Sequence, residues 1–424
     1  MKWNTILVTG GAGYIGSHCI VELLNNDYRV SSHGVVVTAL ALHAGDPGSI
    51  PGGVKKFHDI DCVIHFAAVK AVGESMQEPL MYYKNNLIAT INLLEVMKSH
   101  GVYQLVFSSS CTVYGEPQFL PITEDHPTGN IKNVYGKTKH FIEEMLKDLS
   151  KAHKEWNIIS LRYFNPVGAH PSGRIGEDPT KSFTNIMPYL AQVAIGSKPH
   201  FTVFGADYKT EDGTGIRDYI HVMDLAVGHV AALNKLQREH LKIKFYNLGT
   251  GQGTSVMQLL RTFERVTGKP FYNLGTGQGT SVMQLLRTFE RVTGKPVPYI
   301  VEARREGDIV SMYANTDLAQ KELGWSARCT VEKMCEDFWR WQTLNPQGYK
   351  TNAPADGDAI PNGDAITNGD AIPNGDAITN GDAITNGDAI PNGDAITNGD
   401  ANTTQLKIKT NGYCSTPEVT SNGH

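Results

Sequence analysis

The order of apolar and polar positions predicts strands and helices that follow one another along most of the chain. An apolar run at residues 5–9 is followed by a glycine-rich turn and by a stretch with apolar residues every three or four positions. Apolar runs at residues 62–66 and 104–108 come next, and a second helical pattern begins near Tyr135. Continuous apolar runs are typical of strands in a parallel sheet, and the 3.6-residue period is typical of the covering helices. We therefore predict an α/β fold with a Rossmann-type, doubly wound parallel sheet.

A smaller substrate-binding domain, interleaved with the sheet domain, is predicted in the C-terminal half. The sheet domain would comprise residues 1–170 and roughly 216–250, and the substrate-binding domain residues 171–215 and 251–349. A chain of this length buries enough apolar surface for two packed lobes.

Residues 350–424 form a low-complexity tail. Seven tandem hexapeptides of the form GDAI(P/T)N run from Gly357 to Asn398. One apolar residue in six cannot build a core, so we predict that the tail is disordered. A short β-helix is the alternative, but three of the seven units carry proline and seven units would make few coils.

The chain contains a perfect tandem repeat. Residues 245–270 (copy one) and 271–296 (copy two) are identical. Solenoid proteins need at least three stacked units, which favours a recent duplication or an error in the gene model. Copy one should form the better strand, because Pro270 precedes copy two and lacks an N–H donor. The helix of each copy should begin with a capping box, Ser255 with Gln258 in copy one.

Composition excludes several classes of function. The net charge of −5 and the absence of long basic runs argue against nucleic acid or an anionic membrane as partner. The six cysteines are scattered without zinc-type spacing, so no metal site is predicted. No apolar stretch reaches about eighteen residues and the N-terminal stretch has no signal-peptide pattern. We therefore expect a soluble, cytoplasmic protein.

A glycine motif follows the first predicted strand directly. Gly10, Gly11, Gly13 and Gly16 separate that strand from an amphipathic helix. Such glycines let backbone N–H groups approach a pyrophosphate at the N-terminus of a helix. The alternative is a turn of purely structural kind, which the strand and helix context makes less favourable.

The acid that should hold an adenosine ribose is not identifiable. A Rossmann unit that prefers NAD carries Asp or Glu at a strand end about twenty residues after the glycines. Here Asp46 is the first acid after Asp27, and it lies in a Gly/Pro-rich stretch. Residues 31–56 do not fit the surrounding pattern.

Three polar residues suggest acid–base chemistry at a carbonyl or alcohol. Ser110 lies near the end of a predicted strand, and Tyr135 and Lys139 lie four residues apart on one helix face. A neighbouring ammonium favours the phenolate form of tyrosine, and a serine hydroxyl can stabilise a developing alkoxide. Each residue also has a structural interpretation, as a strand cap, a half-buried aromatic and a solvated charge. Their order after the glycine motif favours the catalytic interpretation.

Eight segments, in order, resemble one family. TGGAGYIGSH, VIHFAAVKAVGES, LVFSSSCTVYG, VYGKTK, LRYFNPVGAHPSGRIGEDP, DGTGIRDYIHV, FYNLGTG and ARREGD are similar to segments of UDP-glucose 4-epimerases, which are extended short-chain dehydrogenases/reductases. The resemblance spans residues 3 to about 348, apart from 31–56 and one copy of the repeat. It implies NAD-dependent interconversion of UDP-glucose and UDP-galactose in galactose metabolism. The sugar is oxidised at C4 to a 4-keto intermediate and reduced again from its other face. A homodimer is also implied.

The resemblance assigns roles to particular residues. The implied catalytic residues are Tyr135 as the base, Lys139, Ser110 and Thr112. The implied NAD contacts are Gly10, Gly13, Tyr14, Ile15, Gly16, Phe66, Lys70, Tyr135, Lys139 and Tyr163. The implied UDP-sugar contacts are Ser110, Thr112, Asn165, Asn185, Ile186, Val203, Phe204, Arg217, Arg305, Asp308 and Met312.

Two alternatives remain open at this point. The first is another sugar-nucleotide enzyme of the same superfamily, a dehydratase or a decarboxylase. Dehydratases of this pattern carry an Asp-Glu pair where this chain has Cys111 and Thr112, which favours epimerisation. The second is an inactive chain that lacks a complete cofactor site.

Overall fold

The computed structural model describes residue 3 and residues 5–33, 60–178, 185–268, 272–273, 298–304 and 309–349. All of these residues belong to one compact unit. The predictions for the tail, for the stretch after His33 and for nearly all of copy two fall outside the described residues.

Strands and helices alternate through the first half of the described chain. In order they are β1 (Thr5–Thr9), α1 (Tyr14–Asn25), β2 (Arg29–His33), β3 (Cys62–His65), α2 (Val72–Gln77), α3 (Pro79–Tyr82), a π-helical turn (Tyr83–Ile88), α4 (Ala89–Ser99), β4 (Gln104–Ser110), a 3-10 turn (Cys111–Tyr114), α5 (Val134–Ala152) and β5 (Asn157–Tyr163). The predicted strands are confirmed, with β3 ending one residue earlier and β4 ending two residues later than expected.

Shorter strands predominate in the second half. The elements are β6 (Asn165–Val167), α6 (Ile186–Ala194), β7 (Phe201–Phe204), β8 (Ile216–Arg217), β9 (Tyr219–His221), α7 (Val222–Arg238), β10 (Ile243–Leu248), β11 (Thr254–Ser255), α8 (Val256–Thr267), β12 (Tyr272–Asn273), β13 (Pro298–Glu302), β14 (Ser311–Met312), α9 (Asp317–Leu323) and α10 (Val331–Leu344).

Six parallel strands form the central sheet, in the order β10-β5-β4-β3-β1-β2. The chain runs from β1 outwards to β2 and then crosses to the other side of β1 to form β3. This reversal is the topological switch point, where open α/β sheets bind ligands at the carboxyl ends of their strands. The doubly wound Rossmann-type sheet predicted from the sequence is therefore confirmed.

Helices cover both faces of this sheet. Ile6 and Val8 point to the face covered by α1 and α7, and Leu7 points to the face covered by α4 and α5. Apolar side chains are thus needed at successive positions of β1, which explains its continuous apolar run. Trp325, just after α9, also packs on the α7 face and donates from its indole nitrogen to the carbonyl of Asp224 (2.9 Å).

A second core lies among α6, β7, α8 and α10. Its residues include Leu190, Phe201, Phe263 and Trp341, each at most 4 % exposed. Two small sheets, β11-β8-β14 and β12-β13-β7, lie in this part of the chain. The boundaries of the predicted substrate-binding domain stay a prediction.

Copy one of the repeat is built into both cores. Its first residues complete β10, which pairs with β5 at the sheet edge, and its helix is α8. The predicted capping box is confirmed: the amide of Ser255 donates to Gln258 Oε1 (2.8 Å), and the amide of Gln258 donates to Ser255 Oγ (3.0 Å). The strand that includes the start of copy one is six residues long, and the prediction that it is better than the strand of copy two stays a prediction.

Candidate active site

A cavity of about 780 Å³ lies at the carboxyl ends of the central strands. Its wall includes Gly10 after β1, Ser110 at the end of β4 and Tyr163 at the end of β5. Residues from α6, β7 and β8 close the opposite side. The cavity therefore lies at the switch point of the sheet and between the two cores.

The glycine turn brings backbone close to this cavity. Gly10 has a φ of +71°, and a Cβ there would lie 2.8 Å from the amide nitrogen of Ala67. A Cβ at Gly16 would overlap the carbonyl oxygen of Gly10. Helix α1 starts at Tyr14, and no side chain caps its first turn. A phosphate can therefore approach the positive end of the helix dipole without meeting a side chain.

The hydroxyl of Ser110 is oriented by its own turn. Ser110 Oγ accepts from the amide of Thr112 (3.2 Å) and from Thr112 Oγ1 (3.0 Å). The hydrogen of the Ser110 hydroxyl is thereby left to donate, and Ser110 forms a side-chain hydrogen bond to Tyr135. The predicted pair of hydroxyls thus lies together with the predicted base.

Tyr135 and Lys139 lie one turn apart near the start of α5, as the spacing predicts. The side chain of Asn133 caps this helix by accepting from the amide of Gly136 (2.7 Å). Lys139 is 3 % exposed. Its Nζ donates to the carbonyl of Ser108 (2.6 Å) and lies 4.9 Å from the centre of the Phe107 ring.

Burial dominates the ionisation of both groups. It raises the pKa of Tyr135 to about 12, against the hydrogen bond from Ser110, which lowers it. It lowers the pKa of Lys139 to about 7, against the negative charge of Glu143, which raises it. From the sequence we expected the ammonium of Lys139 to lower the pKa of the phenol. In this structure desolvation outweighs any such effect, so Tyr135 holds its proton at neutral pH.

Asn86 joins the Tyr135 turn to the segment after β3, in which Ala68 and Lys70 line the cavity. Its amide exchanges two hydrogen bonds of 3.0 Å with the main chain of Val69, and it donates to Thr138 Oγ1 (3.0 Å). Thr138 Oγ1 in turn donates to the carbonyl of Tyr135 (2.7 Å). No pattern in the sequence indicated this role, because Asn86 lies in the π-helical turn and its partners are distant in the chain.

Tyr163 lies in the cavity wall, and its hydroxyl forms a hydrogen bond to His229 behind that wall. His229 Nδ1 contacts the carbonyl of Leu225 (2.8 Å), so Nε2 is free to accept from the Tyr163 hydroxyl (2.5 Å). Burial lowers the pKa of His229 to about 4, which keeps it neutral. The Phe66 ring packs 4.9 Å from the same imidazole. Tyr163 and Phe66 therefore present rigid aromatic surfaces to the cavity.

Seventeen of the predicted site residues line the cavity together. They are Gly10, Gly13, Tyr14, Ile15, Gly16, Phe66, Lys70, Ser110, Thr112, Tyr135, Lys139, Tyr163, Asn165, Asn185, Ile186, Phe204 and Arg217. Two others lie elsewhere. Val203 is 2 % exposed and belongs to the second core, because β7 directs its alternate residues inwards. Met312 is buried in a cluster with Cys111 and Phe164, behind the wall. Arg305 and Asp308 lie outside the described residues.

The cavity wall also contains residues that the sequence argument missed. Tyr189, Lys198 and Tyr219 line the side formed by the second core. Tyr189 follows Asn185 by four residues on α6, so a helical projection from Asn185 could have found it. Lys198 and Tyr219 come from separate segments whose approach depends on the tertiary fold.

NAD fits the described part of this site. The glycine turn and the open start of α1 suit a pyrophosphate, and the buried Lys139 and the half-buried Tyr135 suit the reactive end of a dinucleotide. The strand at whose end a ribose-binding acid would stand is β2, and its residues are Arg29, Val30, Ser31, Ser32 and His33. None of these five is an acid.

No group of three or more potential metal ligands occurs among the residues that the structure describes. Within the same ranges, no helix is long and apolar enough to span a membrane.

The fold and the site together define a dinucleotide-dependent enzyme of the short-chain dehydrogenase/reductase type. Residues 6–249 match the model of the NAD dependent epimerase/dehydratase family. The chain is 49% identical over 375 residues to UDP-glucose 4-epimerase of Homo sapiens, with 82% of this chain and 99% of the relative covered. It is 49% identical over 370 residues to UDP-glucose 4-epimerase of Drosophila melanogaster, with coverage of 81% and 98%.

A solved structure agrees with these relatives. The UDP-glucose 4-epimerase from Bifidobacterium longum, in complex with NAD+ and UDP, superposes with a TM-score of 0.67 at 43% identity. The match covers 82% of this chain and all of that chain. The chain therefore belongs to the NAD dependent epimerase/dehydratase family and, within it, to the UDP-glucose 4-epimerases.

Proposed function

We propose that this protein interconverts UDP-glucose and UDP-galactose by NAD-dependent inversion at C4 of the sugar. The observation that carries the proposal is the convergence of Ser110, Tyr135 and Lys139 on one cavity beside the glycine turn. The family relatives share the activity in their names. Bound NAD would supply the acceptor, and then the donor, of the hydride at the sugar carbon.

The proton of the sugar hydroxyl is assigned to Tyr135. Ser110 forms a hydrogen bond to the phenol. To accept the sugar proton the phenol must first lose its own, and the positive nicotinamide ring of bound NAD, together with the Lys139 ammonium, would favour that phenolate. The Ser110 hydroxyl donates to the phenol, and with substrate bound it would donate instead to the same sugar oxygen as charge develops there. Thr112 orients Ser110 and lies in the same wall.

We assign to Lys139 the role of stabilising the negative charge of the Tyr135 phenolate. Its ammonium is buried one helical turn from Tyr135, where low dielectric strengthens its attraction for a phenolate. It is held by a main-chain carbonyl, so its position does not depend on a bound partner. It would also contact the cofactor ribose, as the family resemblance implies.

The side of the cavity formed by the second core is assigned to the uridine diphosphate. Asn185, Ile186, Phe204 and Arg217 lie there, and Arg217 can donate two bonds to one phosphate through its planar guanidinium group. We assign Arg305 and Asp308 to the same ligand because of the family resemblance. The division into an NAD-binding domain and a UDP-sugar domain belongs to this proposal, and a cytoplasmic location stays a prediction.

A dehydratase is the second candidate, and the strand end argues against it. Elimination needs an additional acid and base beside the Ser110 position. Cys111 there is buried, and burial raises its pKa to about 12, so it stays a neutral thiol at neutral pH. Thr112 does not titrate.

The test is a Tyr135→Phe variant with Tyr103→Phe as the matched control. Tyr103 packs on Trp156 in the sheet domain and does not line the cavity. We expect Tyr135→Phe to lose about a hundred- to ten-thousand-fold in UDP-galactose turnover while it still binds UDP. Tyr103→Phe should keep the wild-type rate. Turnover of Tyr135→Phe within threefold of wild type would contradict the assignment.

We further propose a homodimer through an apolar face formed by α3, the π-helical turn, α4 and α5. Leu80, Ile88, Ile91 and Phe141 are 81%, 48%, 39% and 43% exposed, and the ring of Phe141 stacks 6.3 Å from Tyr83. A second copy of the chain is the occupant that the family resemblance implies. Phe141→Asp should give a monomer in sedimentation analysis, whereas Leu344→Asp, at an exposed apolar position on α10, should not. A dimer that persists in Phe141→Asp would exclude this face.

A further inference from the structure

A fully buried carboxylate lies directly behind the Tyr135–Lys139 turn. Glu143 follows Lys139 by four residues on α5 and is 0% exposed. It accepts from Ser109 Oγ (2.7 Å), from Ser160 Oγ (3.1 Å) and from Arg162 through Nε (3.0 Å) and Nη2 (2.8 Å). A buried carboxylate is costly unless its oxygens are satisfied, and here four donors satisfy them.

These four hydrogen bonds connect α5 to two strands of the sheet. Ser109 directly precedes Ser110 on β4, and Ser160 and Arg162 lie on β5. The distance between the Ser110 hydroxyl and the Tyr135 phenol depends on how α5 sits against the end of β4. Glu143 is the described side chain that bonds to both strands from that helix.

Arg162 is fixed from its other side. Its Nη1 donates to the Tyr114 hydroxyl (2.9 Å) and to the carbonyl of Glu124 (3.1 Å). Its guanidinium carbon also lies 4.8 Å from the Tyr114 ring centre and 4.7 Å from that of Phe245. The pair is therefore rigid, and the proposed chemistry makes no direct use of either charge.

We propose that Glu143 is a positioning residue for the epimerase reaction. It fixes α5 against the Ser110 strand end, and its charge keeps Lys139 in the ammonium form. The inference rests on the proposed function, because that reaction is what makes an ammonium at Lys139 useful.

The charged groups around Lys139 determine whether a substitution raises or lowers its pKa. Glu143 on its own helix favours the ammonium. The guanidinium of Arg162 on β5, which contacts Glu143 at 2.8 Å, should oppose it by the sign of its charge. His65 on β3 faces the same region but is neutral, because burial and Lys139 lower its pKa to about 3. Tyr135 is neutral while it holds its proton, and when it is ionised as the base its negative charge also favours the ammonium. Burial lowers the pKa of Lys139 and the charge of Glu143 counters it, so the ionisation of Lys139 is sensitive to the loss of that charge.

The test compares Glu143→Gln, Arg162→Gln and the control Glu144→Gln in the NAD-loaded protein. Glu144 is the adjacent, half-exposed acid, which pairs with Lys147. The rate constant kcat should fall at alkaline pH as Lys139 loses its proton. Loss of the Glu143 charge should move this alkaline limb of the plot of kcat against pH to lower pH by on the order of one unit. Loss of the Arg162 charge should move it to higher pH. Glu144→Gln should leave it in place.

Opposite shifts separate this role from a purely structural one. Both variants lose the same ion pair and both should be less stable, yet only an electrostatic role moves the limbs in opposite directions. Limbs that stay in place, or that move the same way, would overturn the inference. If Glu143→Gln does not fold, Arg162→Gln alone still decides the sign.

A third variant tests the positioning role separately from charge. Ser109→Ala removes one of the four hydrogen bonds to Glu143 and leaves all charges in place. We expect kcat to fall about two- to tenfold with an unmoved alkaline limb, because a small misplacement of reacting groups is costly. An unchanged kcat would overturn the positioning role.

The pKa of Lys139 can also be measured without turnover. In NMR titrations of lysine side chains, the signal absent in Lys139→Arg identifies Lys139. The same opposite shifts are expected in the Glu143 and Arg162 variants. A wild-type protein without epimerase activity would reject the proposed function, whereas this titration would still decide the electrostatic coupling.

Discussion

The repeat offers a matched pair of substitutions, Phe263→Ala in copy one and Phe289→Ala in copy two. These two residues occupy equivalent positions in identical segments. Phe263 is 0% exposed and lies on the buried face of α8 with Leu259 and Leu260. Its ring meets Trp339 edge-on at 5.9 Å between centroids. We use the word seat for the place that copy one fills between the β5 edge and the second core.

Truncation of a buried phenylalanine to alanine costs about 3–5 kcal/mol, because both transfer energy and packing are lost. Copy two can limit that loss, since it carries an intact phenylalanine and could occupy the seat instead. The exchange would put Lys269 and Pro270 where Ile243 and Lys244 now lie. We therefore expect Phe263→Ala to lower the free energy of unfolding by the free-energy cost of this exchange, if that cost is smaller than the cost of the truncation itself.

The free-energy cost of the exchange depends on the residues that directly precede each copy, because they differ between the two arrangements. The amide of Ile158 donates to the carbonyl of Lys242 (2.8 Å), so the parallel ladder directs the next donor, the amide of Lys244, to β5. Proline there would lose that bond, worth about 1 kcal/mol, and the ion pair of Lys244 with Glu322 (3.0 Å), worth at most about 1 kcal/mol. Loss of the half-buried Ile243 adds about 1 kcal/mol. The exchange should therefore cost about 2–3 kcal/mol.

Urea denaturation followed by circular dichroism tests this reasoning. We expect a loss of about 2–3 kcal/mol for Phe263→Ala, less than about 0.5 kcal/mol for Phe289→Ala, and about 3–5 kcal/mol for the double variant. An equal loss in the two single variants would refute the assignment of the seat to copy one. A double variant no less stable than Phe263→Ala would refute the exchange.

Two other predictions concern the unusual segments of the chain. Deletion of residues 271–296 should raise the melting temperature and reduce aggregation, because closing a loop of about that length costs on the order of 3 kcal/mol, and the apolar helix face predicted for copy two would compete for one seat. An unchanged melting temperature with both copies protected from protease would contradict this. NAD should be lost on extensive dialysis, because β2 carries no acid for the ribose. Stoichiometric NAD in the dialysed protein, measured by absorbance after denaturation, would contradict that expectation.

Local patterns predicted the sheet and the reactive residues. Strands β1, β3 and β4 are buried on both faces, so their apolar runs are continuous and easy to recognise. Tyr135 and Lys139 share a helix face, and spacing alone gives that relation. The positions of Val203 and Met312 could not be obtained this way. Whether a residue of β7 or β14 points into the cavity depends on which face of a two- to four-residue strand meets the second core.

The roles of Asn86, Glu143 and His229 were also invisible in the sequence. Each acts through partners that are distant in the chain, such as Tyr163 for His229. A single polar residue inside a helix is compatible with solvent exposure, and only the packed fold shows that it is buried. Such residues are found when the question is where each buried polar group finds its partner.

The identity of the two copies explains how the active site could tolerate an exchange between them. Copy one supplies Phe245, which packs on Arg162, and Asn247, whose side chain accepts from the Tyr114 hydroxyl (2.6 Å). It also supplies Thr250, which donates twice to the buried carboxylate of Asp218. Copy two carries the same three residue types at the same spacing, so the network behind Lys139 would be rebuilt after an exchange. Only the residues at the junctions differ. The repeat should therefore affect stability far more than turnover, and Phe263→Ala should keep a near wild-type kcat at temperatures where it is folded.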